Sequence, residues 1–165
     1  MKKILIACVA LMFAATACPA NPPAVDYTAC PAAGSGQIQV AVVVENSVNK
    51  VVCVVVPDGA DGFAALNARA ARIGAPALRF NGAFLCAIDG NPVGPACGTD
   101  PAGPNGFSYW SYNLGGTTWS EAQFGAASRV LHQGDVDGWV YGTWNFSTTF
   151  PGAPTTASDF ATLTN

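Results

Sequence analysis

The sequence predicts an α+β domain in which one helix packs on a mainly antiparallel sheet. Three observations support this class. Residues 38–44 alternate with a period of two, residues 51–56 form an apolar and largely β-branched run, and residues 61–73 carry a helical apolar stripe. Because the stripe at 61–73 is the one convincing helix pattern in the chain, we expect it to lie among strands supplied by the surrounding segments.

The first two strands and the helix are predicted as consecutive elements. Residues 46–50 have the composition of a turn, so the strands on either side of it should form a hairpin. Asp61 is the expected N-cap of the helix, and Gly74 the residue that ends it. The stripe comprises Phe63, Leu66, Ala70 and Ile73. Arg69 and Arg72 fall near the C-terminal end, where positive charge complements the helix dipole, so we interpret both as structural residues.

The second half of the domain is predicted to contain shorter strands. They are expected at residues 78–80, 83–88, 107–114, 117–124 and 136–144. The pair Asn81-Gly82 favours a tight hairpin between the first two of these. In the segment 89–106, nine of eighteen residues are Gly or Pro, which predicts a long loop of the kind that is often functional.

Composition and length indicate one folded domain with terminal extensions. A chain of 165 residues with 50% hydrophobic and 10% charged residues is too apolar for a disordered polymer and long enough to bury a core. We expect a signal peptide at 1–17, a Pro- and Ala-rich tether at 18–36, the domain at 37–144 and a flexible tail at 145–165.

The first residues have the features of an export signal. Lys2 and Lys3 precede an apolar stretch that is too short to span a bilayer comfortably. Small residues before Cys18 match the pattern at which a bacterial lipoprotein signal is cut and the cysteine acylated, although Ala15 stands where Leu is usual. Ordinary cleavage at the same place is the alternative. The protein is therefore expected to be exported, either secreted or held at the membrane by a lipid on Cys18.

The charge balance excludes two classes of partner. Removal of Lys2 and Lys3 with the signal leaves five basic against ten acidic residues, a net charge of −5. Nucleic acids need clustered Lys and Arg, and anionic membrane surfaces attract basic proteins. We expect neither nucleic-acid binding nor electrostatic adsorption to a membrane.

Cysteine usage predicts disulfides. Beyond Cys18 the chain has Cys30, Cys53, Cys86 and Cys97, an even set in an oxidising compartment, which allows three pairings. Cys86 with Cys97 is the preferred pair, because closing their short, turn-rich loop is worth about 3 kcal/mol. Cys30 would then join Cys53 and hold the tether to the first hairpin.

Catalytic and metal-binding motifs are missing from the sequence. The one histidine, His132, belongs to a turn-like segment, and no G-x-S-x-G motif occurs. We interpret Asp135 and Asp137 as solvated loop residues rather than as a pair of glycosidase acids. Residues 58–62 are interpreted as a turn followed by a helix cap rather than as a calcium loop. We therefore expect no catalytic residue, no cofactor and no metal.

Aromatic side chains are the main candidates for function. The candidate ligand-binding residues are Tyr109, Trp110, Tyr112, Trp119 and Trp139. On a strand, Trp110 and Tyr112 share one face and Tyr109 points to the other, so both faces carry a ring. Each ring taken alone is as consistent with the core as with a ligand platform. The cluster beside a long Gly/Pro loop favours a flat apolar or ring-shaped ligand.

Three motifs resemble those of one protein family. They are GAFLCAIDG at 82–90, YWSY at 109–112 and GDVDGW at 134–139. In this order, with the preceding strands and helix, they resemble the bacterial transcobalamin C-terminal-like domain family, especially secreted actinobacterial members with two cysteines near the first motif. The positions that match the family's later motifs are Tyr109, Trp110, Tyr112, Gly134, Asp135 and Trp139.

The resemblance implies a β-grasp-like domain without catalytic activity. In vertebrate vitamin B12 carriers the related domain helps to cover the corrinoid, and some bacterial members are thought to work with vitamin importers. The resemblance therefore implies an exported module that binds cobalamin, a related corrinoid or another flat apolar ligand. The alternative is a structural or protein-interaction module of a cell-envelope assembly, with the aromatic rings in its core.

Overall fold

The computed structural model describes residues 24–93, 107–144 and 151–165, and its architecture is α+β. The described elements in chain order are β1 (Gln37–Val44), β2 (Val51–Pro57), α1 (Gly62–Ile73), β3 (Arg79–Asn81), β4 (Phe84–Ala87), β5 (Phe107–Leu114), β6 (Ser120–Glu121), a 3₁₀ turn (Ala126–Ser128), β7 (Val136–Trp144) and α2 (Phe160–Thr164). One main helix with a mainly antiparallel sheet confirms the predicted fold class.

Five of the strands form one mixed sheet in the order β2-β1-β7-β5-β6. β1 pairs with β2 as an antiparallel hairpin, and β5 is antiparallel to both β7 and β6. The pairing of β1 with β7 is parallel and joins the first and last strands at the centre of the sheet. The finer β-grasp-like assignment stays a prediction.

The first face of the sheet packs against α1. Alternate residues of β1 and β2 face the helix, because strand side chains alternate between the two faces. The buried residues of this core include Val40, Val42, Val44, Val52, Val54, Leu66, Trp110, Tyr112 and Trp139. The aromatic part of the sheet, on β5 and β7, therefore belongs to the same core as the helix.

The second face of the sheet is covered by residues 151–165, which corrects the predicted flexible tail over that part of the chain. Leu163 of α2 packs with Ala41, Val43 and Val136. Gly138 makes room for this C-terminal segment, since a Cβ placed there would lie 2.8 Å from Pro154 Cγ. Its prolines pack against glycines of β7, and this contact rather than a long amphipathic helix holds the segment on the sheet. The sequence of the segment therefore carries no helical periodicity.

The caps predicted for α1 are confirmed. Asp61 Oδ1 accepts a hydrogen bond of 2.7 Å from the Ala64 N–H, which satisfies one of the free donors of the first turn. Gly74 ends the helix in the left-handed conformation with φ of 66°. A glycine adopts this backbone without steric cost.

Both arginines of α1 are structural, as predicted. Arg69 is completely buried and donates to Asp89 Oδ1 at 2.6 Å, while its second Nη donates to Ser47 Oγ at 2.8 Å. Arg72 donates to the carbonyl oxygens of Cys53 and Ala29. These contacts join the helix to the first hairpin, to the segment before β1 and to the turn after β4.

The short strands differ in how well they match the sequence. β3 and β4 form the predicted hairpin as a separate two-stranded sheet. The strand predicted at 117–124 is wrong in extent, because β6 contains two residues only. Trp119 lies outside the strand and donates from Nε1 to the Thr156 carbonyl oxygen at 2.9 Å. Its ring therefore packs on the second face of the sheet.

The disulfide between Cys30 and Cys53 is confirmed, and it ties the segment before β1 to the outer strand β2. The Cys53 N–H also donates to the Tyr27 carbonyl oxygen at 2.9 Å. Cys86 is disulfide-bonded as well, while its predicted partner Cys97 lies outside the described residues, as does Cys18. Within the described part of the chain, no helix is long and apolar enough to cross a membrane.

Candidate functional site

A chain of aromatic rings runs across the first face of the sheet. Tyr112 of β5 lies opposite Trp139 of β7, and their rings stack with centroids 4.6 Å apart. Trp139 also stacks on Phe63 of α1 at 6.2 Å. Phe63 in turn meets Phe80 of β3 edge to face at 5.1 Å. Four elements thus contribute to one aromatic cluster, defined here as Phe63, Phe80, Tyr112 and Trp139.

Three of the predicted ligand residues lie inside the core. Trp110, Tyr112 and Trp139 are 7%, 8% and 3% exposed. Trp110 packs on Tyr141 at 5.3 Å, two residues along each strand from the Tyr112–Trp139 pair. These three rings are therefore not an open platform in this structure.

The other two predicted residues lie elsewhere. Tyr109 pairs with Gly142 and points to the second face, while Trp119 is partly buried there against the C-terminal segment. The structure does not bring these two rings to the aromatic cluster. The strand alternation of Tyr109 against Trp110 and Tyr112 is as predicted.

One member of the cluster, Phe80, is exposed to solvent, and its hairpin β3–β4 carries a second exposed ring, Phe84. Phe80 is 42% exposed and Phe84 is 70% exposed. Phe80 contacts Phe63 directly, so it connects the solvent to the buried stack. The sequence predicts both residues in a hairpin, and neither belongs to the predicted ligand-binding residues. Their apolar character on both sides of an Asn-Gly turn is the signal that could have identified them.

Two indole groups near the cluster lack hydrogen-bond partners. Among the described residues, the buried Nε1 atoms of Trp110 and Trp139 have no acceptor. A buried donor without an acceptor costs about 1–3 kcal/mol. These two nitrogens are donors that a polar ligand group or a water molecule would satisfy.

A buried carboxylate adjoins the aromatic stack and corrects the prediction that Asp137 is a solvated loop residue. Its side chain has 0% exposure, and Oδ2 accepts a hydrogen bond of 2.8 Å from the Tyr112 hydroxyl. Arg129 Nε lies 3.5 Å from Oδ1. Asp137 is buried because β7 places it on the same face as Trp139, beneath the start of α1.

Asp135 and Arg129 form the outer part of the same group. Arg129 Nη2 lies 2.8 Å from Asp135 Oδ2, which also accepts a 2.8 Å hydrogen bond from the His132 N–H. The His132 side chain is 72% exposed and lies in the predicted turn. Asp135 thus holds the turn before β7, and Arg129 bridges the two carboxylates.

Burial is the largest influence on the pKa values of Asp137 and Tyr112. It raises the pKa of Asp137 to about 6, although the hydrogen bond from Tyr112 and the charge of Arg129 act in the opposite direction. Burial, together with the charge of Asp137, raises the pKa of the Tyr112 phenol above its ordinary value. Tyr112 therefore stays protonated and donates to the carboxylate throughout the physiological range.

The described residues contain a further cavity on the second face of the sheet. It has a volume of about 150 Å³ and is lined by Ser111, Asn113, Glu121, Gly152 and Ala153. None of the five predicted aromatic residues lines it. Among residues 24–93, 107–144 and 151–165, no three His, Cys, Asp or Glu side chains are grouped as metal ligands would be.

Comparison with known proteins gives matches among solved structures. No family model and no curated protein matches the sequence. The chain is similar to a crystal structure of haptocorrin in complex with Cbi, with 17% identity and a TM-score of 0.48. The match covers 66% of this chain and 25% of haptocorrin, so this chain corresponds to about a quarter of that protein. Membership of the bacterial transcobalamin-like family stays a prediction.

Proposed function

We propose that this protein is an exported, non-catalytic module that binds a flat apolar ligand against the hairpin β3–β4. The observation that carries the proposal is the half-exposed ring of Phe80, which contacts Phe63 of the aromatic stack, on a hairpin that also carries the exposed ring of Phe84. A contiguous exposed apolar surface marks an interaction site or a ligand-binding groove.

The ligand class follows from the shape and chemistry of this surface. A planar ring system gains both apolar burial and stacking energy on aromatic side chains. A corrinoid is the ligand that the motif resemblance implies, in the form of cobalamin or a related compound. The ligand then contacts Phe80 and Phe84 rather than the five sequence-predicted residues. Trp110, Tyr112 and Trp139 belong to the core that supports the hairpin.

The proposed function also includes export of the protein and a lipid anchor on Cys18. The Cys30–Cys53 disulfide supports an oxidising compartment, because such bonds persist outside the cytoplasm. A lipid on Cys18 would hold the module at the membrane beside a vitamin importer.

Isothermal titration of the purified protein with cobalamin tests the proposal. Phe84→Ala should weaken binding by about tenfold or more, because a partly exposed phenylalanine that becomes buried by a ligand contributes roughly 1.5–3 kcal/mol. Phe124→Ala is the control, since Phe124 is also a solvent-exposed phenylalanine and lies outside the hairpin. Equal loss of binding in both variants, or no heat with the unmodified protein at high micromolar ligand, contradicts the proposal.

The second candidate is a structural or protein-interaction module of an envelope assembly. The burial of Trp110, Tyr112 and Trp139 favours it, because core rings serve the fold and not a ligand. In this case Phe84→Ala should weaken association with an envelope protein while cobalamin produces no heat. Chemical cross-linking of the anchored protein in intact cells, compared between Phe84→Ala and Phe124→Ala, distinguishes the two functions.

A further inference from the structure

We infer that Asp137 is a proton-binding site built into the aromatic core, and that its protonation is transmitted to Trp139 through the Tyr112 ring. The inference concerns the free protein and does not depend on the proposed ligand. It follows from how the carboxylate is placed and from which groups surround it.

The carboxylate is poorly compensated for a buried charge. Oδ2 has one strong hydrogen bond, from Tyr112, whereas Oδ1 has none among the described residues. Among the described residues, Arg129 is the one cation in contact with it, and the closer contact of Arg129 is with Asp135 at 2.8 Å rather than with Asp137 at 3.5 Å. Buried charges need pairing and full hydrogen bonding to remain ionised at little cost.

The groups that face Asp137 come from each element packed around it. β5 contributes Tyr112, the segment after the 3₁₀ turn contributes Arg129, and the turn before β7 contributes Asp135. α1 contributes Gly62, which carries no charge and whose added Cβ would lie 3.0 Å from Asp137 Oδ2. Two carboxylates thus share one guanidinium, so one proton restores the charge balance.

Tyr112 links this proton to the aromatic cluster. Its hydroxyl is bound to Asp137 and its ring stacks on Trp139 at 4.6 Å. Loss of the negative charge changes both the electric field at the indole and the acceptor of the phenol. Trp139 is therefore the expected reporter of the protonation state, and the raised pKa of Asp137, about 6, agrees with a transition in mildly acidic solution.

The direct test is a ¹³C NMR titration of the Asp137 carboxyl group in the otherwise unmodified protein. We expect a single-proton transition with a midpoint between about pH 5 and 7, well above the ordinary aspartate value of about 3.9. A midpoint below about pH 4.5 overturns the inference. Because this measurement needs no substitution at Asp137, it does not depend on whether a variant folds.

Tryptophan fluorescence tests the transmission to Trp139. His132→Gln is the background for this titration, because it removes the one histidine of the chain. The emission should change with the same midpoint, and Asp137→Asn should abolish the change. Tyr112→Phe keeps the ring but removes the donor that favours the charged form, so the NMR midpoint should move upward. A fluorescence transition that persists in Asp137→Asn, or a downward shift in Tyr112→Phe, contradicts the inference.

Discussion

Asp137 and Trp110 lie on the same face of the sheet, and both side chains are buried there. Period-two alternation correctly places Trp110 and Tyr112 on one face of β5, but alternation does not tell which face is covered. Here both faces are covered, by α1 on one side and residues 151–165 on the other. The sequence predicts that Asp137 lies in a solvated loop, because it follows a turn-like segment, whereas the pairing of β7 with β1 and β5 places it inside the sheet.

Acidification should stabilise the fold between about pH 7.5 and pH 5. The folded-state pKa of Asp137 is raised above its unfolded value, so the folded state binds a proton that the unfolded state does not, and its stability rises as pH falls through about 6. The expected gain in the free energy of unfolding is about 1 kcal/mol. Urea denaturation of the His132→Gln protein at both pH values measures it.

Asp137→Asn is the matched control for this pH dependence. It should show little gain over the same interval, because the titrating group is gone. A loss of stability in the parent protein over this interval, or an equal gain in Asp137→Asn, would show that another group controls the response.

At the scale of elements, the sequence correctly predicts the features that depend on residues close together in the chain. The caps at Asp61 and Gly74, the strands at 107–114 and 136–144 and the Asn-Gly hairpin each follow from short-range chemistry. The C-terminal segment could not be predicted in this way, because it depends on distant glycines that leave space for prolines. Complementary shape between segments far apart in sequence has no local signature.

Gly138→Ala should destabilise the domain through this contact. An added Cβ would lie 2.6 Å from Trp119 Cζ3 and 2.8 Å from Pro154 Cγ, so the C-terminal segment or the strand must shift. Overpacking of this kind costs about 1–3 kcal/mol. Gly116→Ala is the control, since the nearest atom to its Cβ is 3.9 Å away. Chemical denaturation of both variants measures the difference, and similar stabilities would show that the C-terminal segment contributes little.

At the scale of the whole molecule, interactions between residues distant in sequence hold the elements together. The parallel pairing of β1 with β7 and the Cys30–Cys53 bond join distant parts of the chain. Cysteine counting allows three pairings, the short loop between Cys86 and Cys97 favours the one that contains Cys30–Cys53, and the structure confirms this bond. The candidate site has the same origin, because Phe63, Phe80 and Trp139 come together from α1, β3 and β7.

Replacement of both Cys30 and Cys53 by serine should lower the free energy of unfolding by about 3 kcal/mol. The two cysteines are 23 residues apart, and releasing a loop of that length restores entropy to the unfolded chain. Guanidinium denaturation of the double variant checks this value. An unchanged midpoint would show that the contacts of Tyr27 and Arg72 with β2 are sufficient without the bond.

The proposed binding surface is tested most directly by NMR mapping of the ligand contact in the whole protein. Cobalamin is added to protein with labelled aromatic side chains, and the shifts of individual rings are followed. We predict saturable changes at Phe80 and Phe84, smaller changes at Phe63, and none at Tyr109 or Trp119 on the opposite face. Saturable changes confined to Tyr109 and Trp119, or no change in any ring at high micromolar cobalamin, would contradict the proposed function.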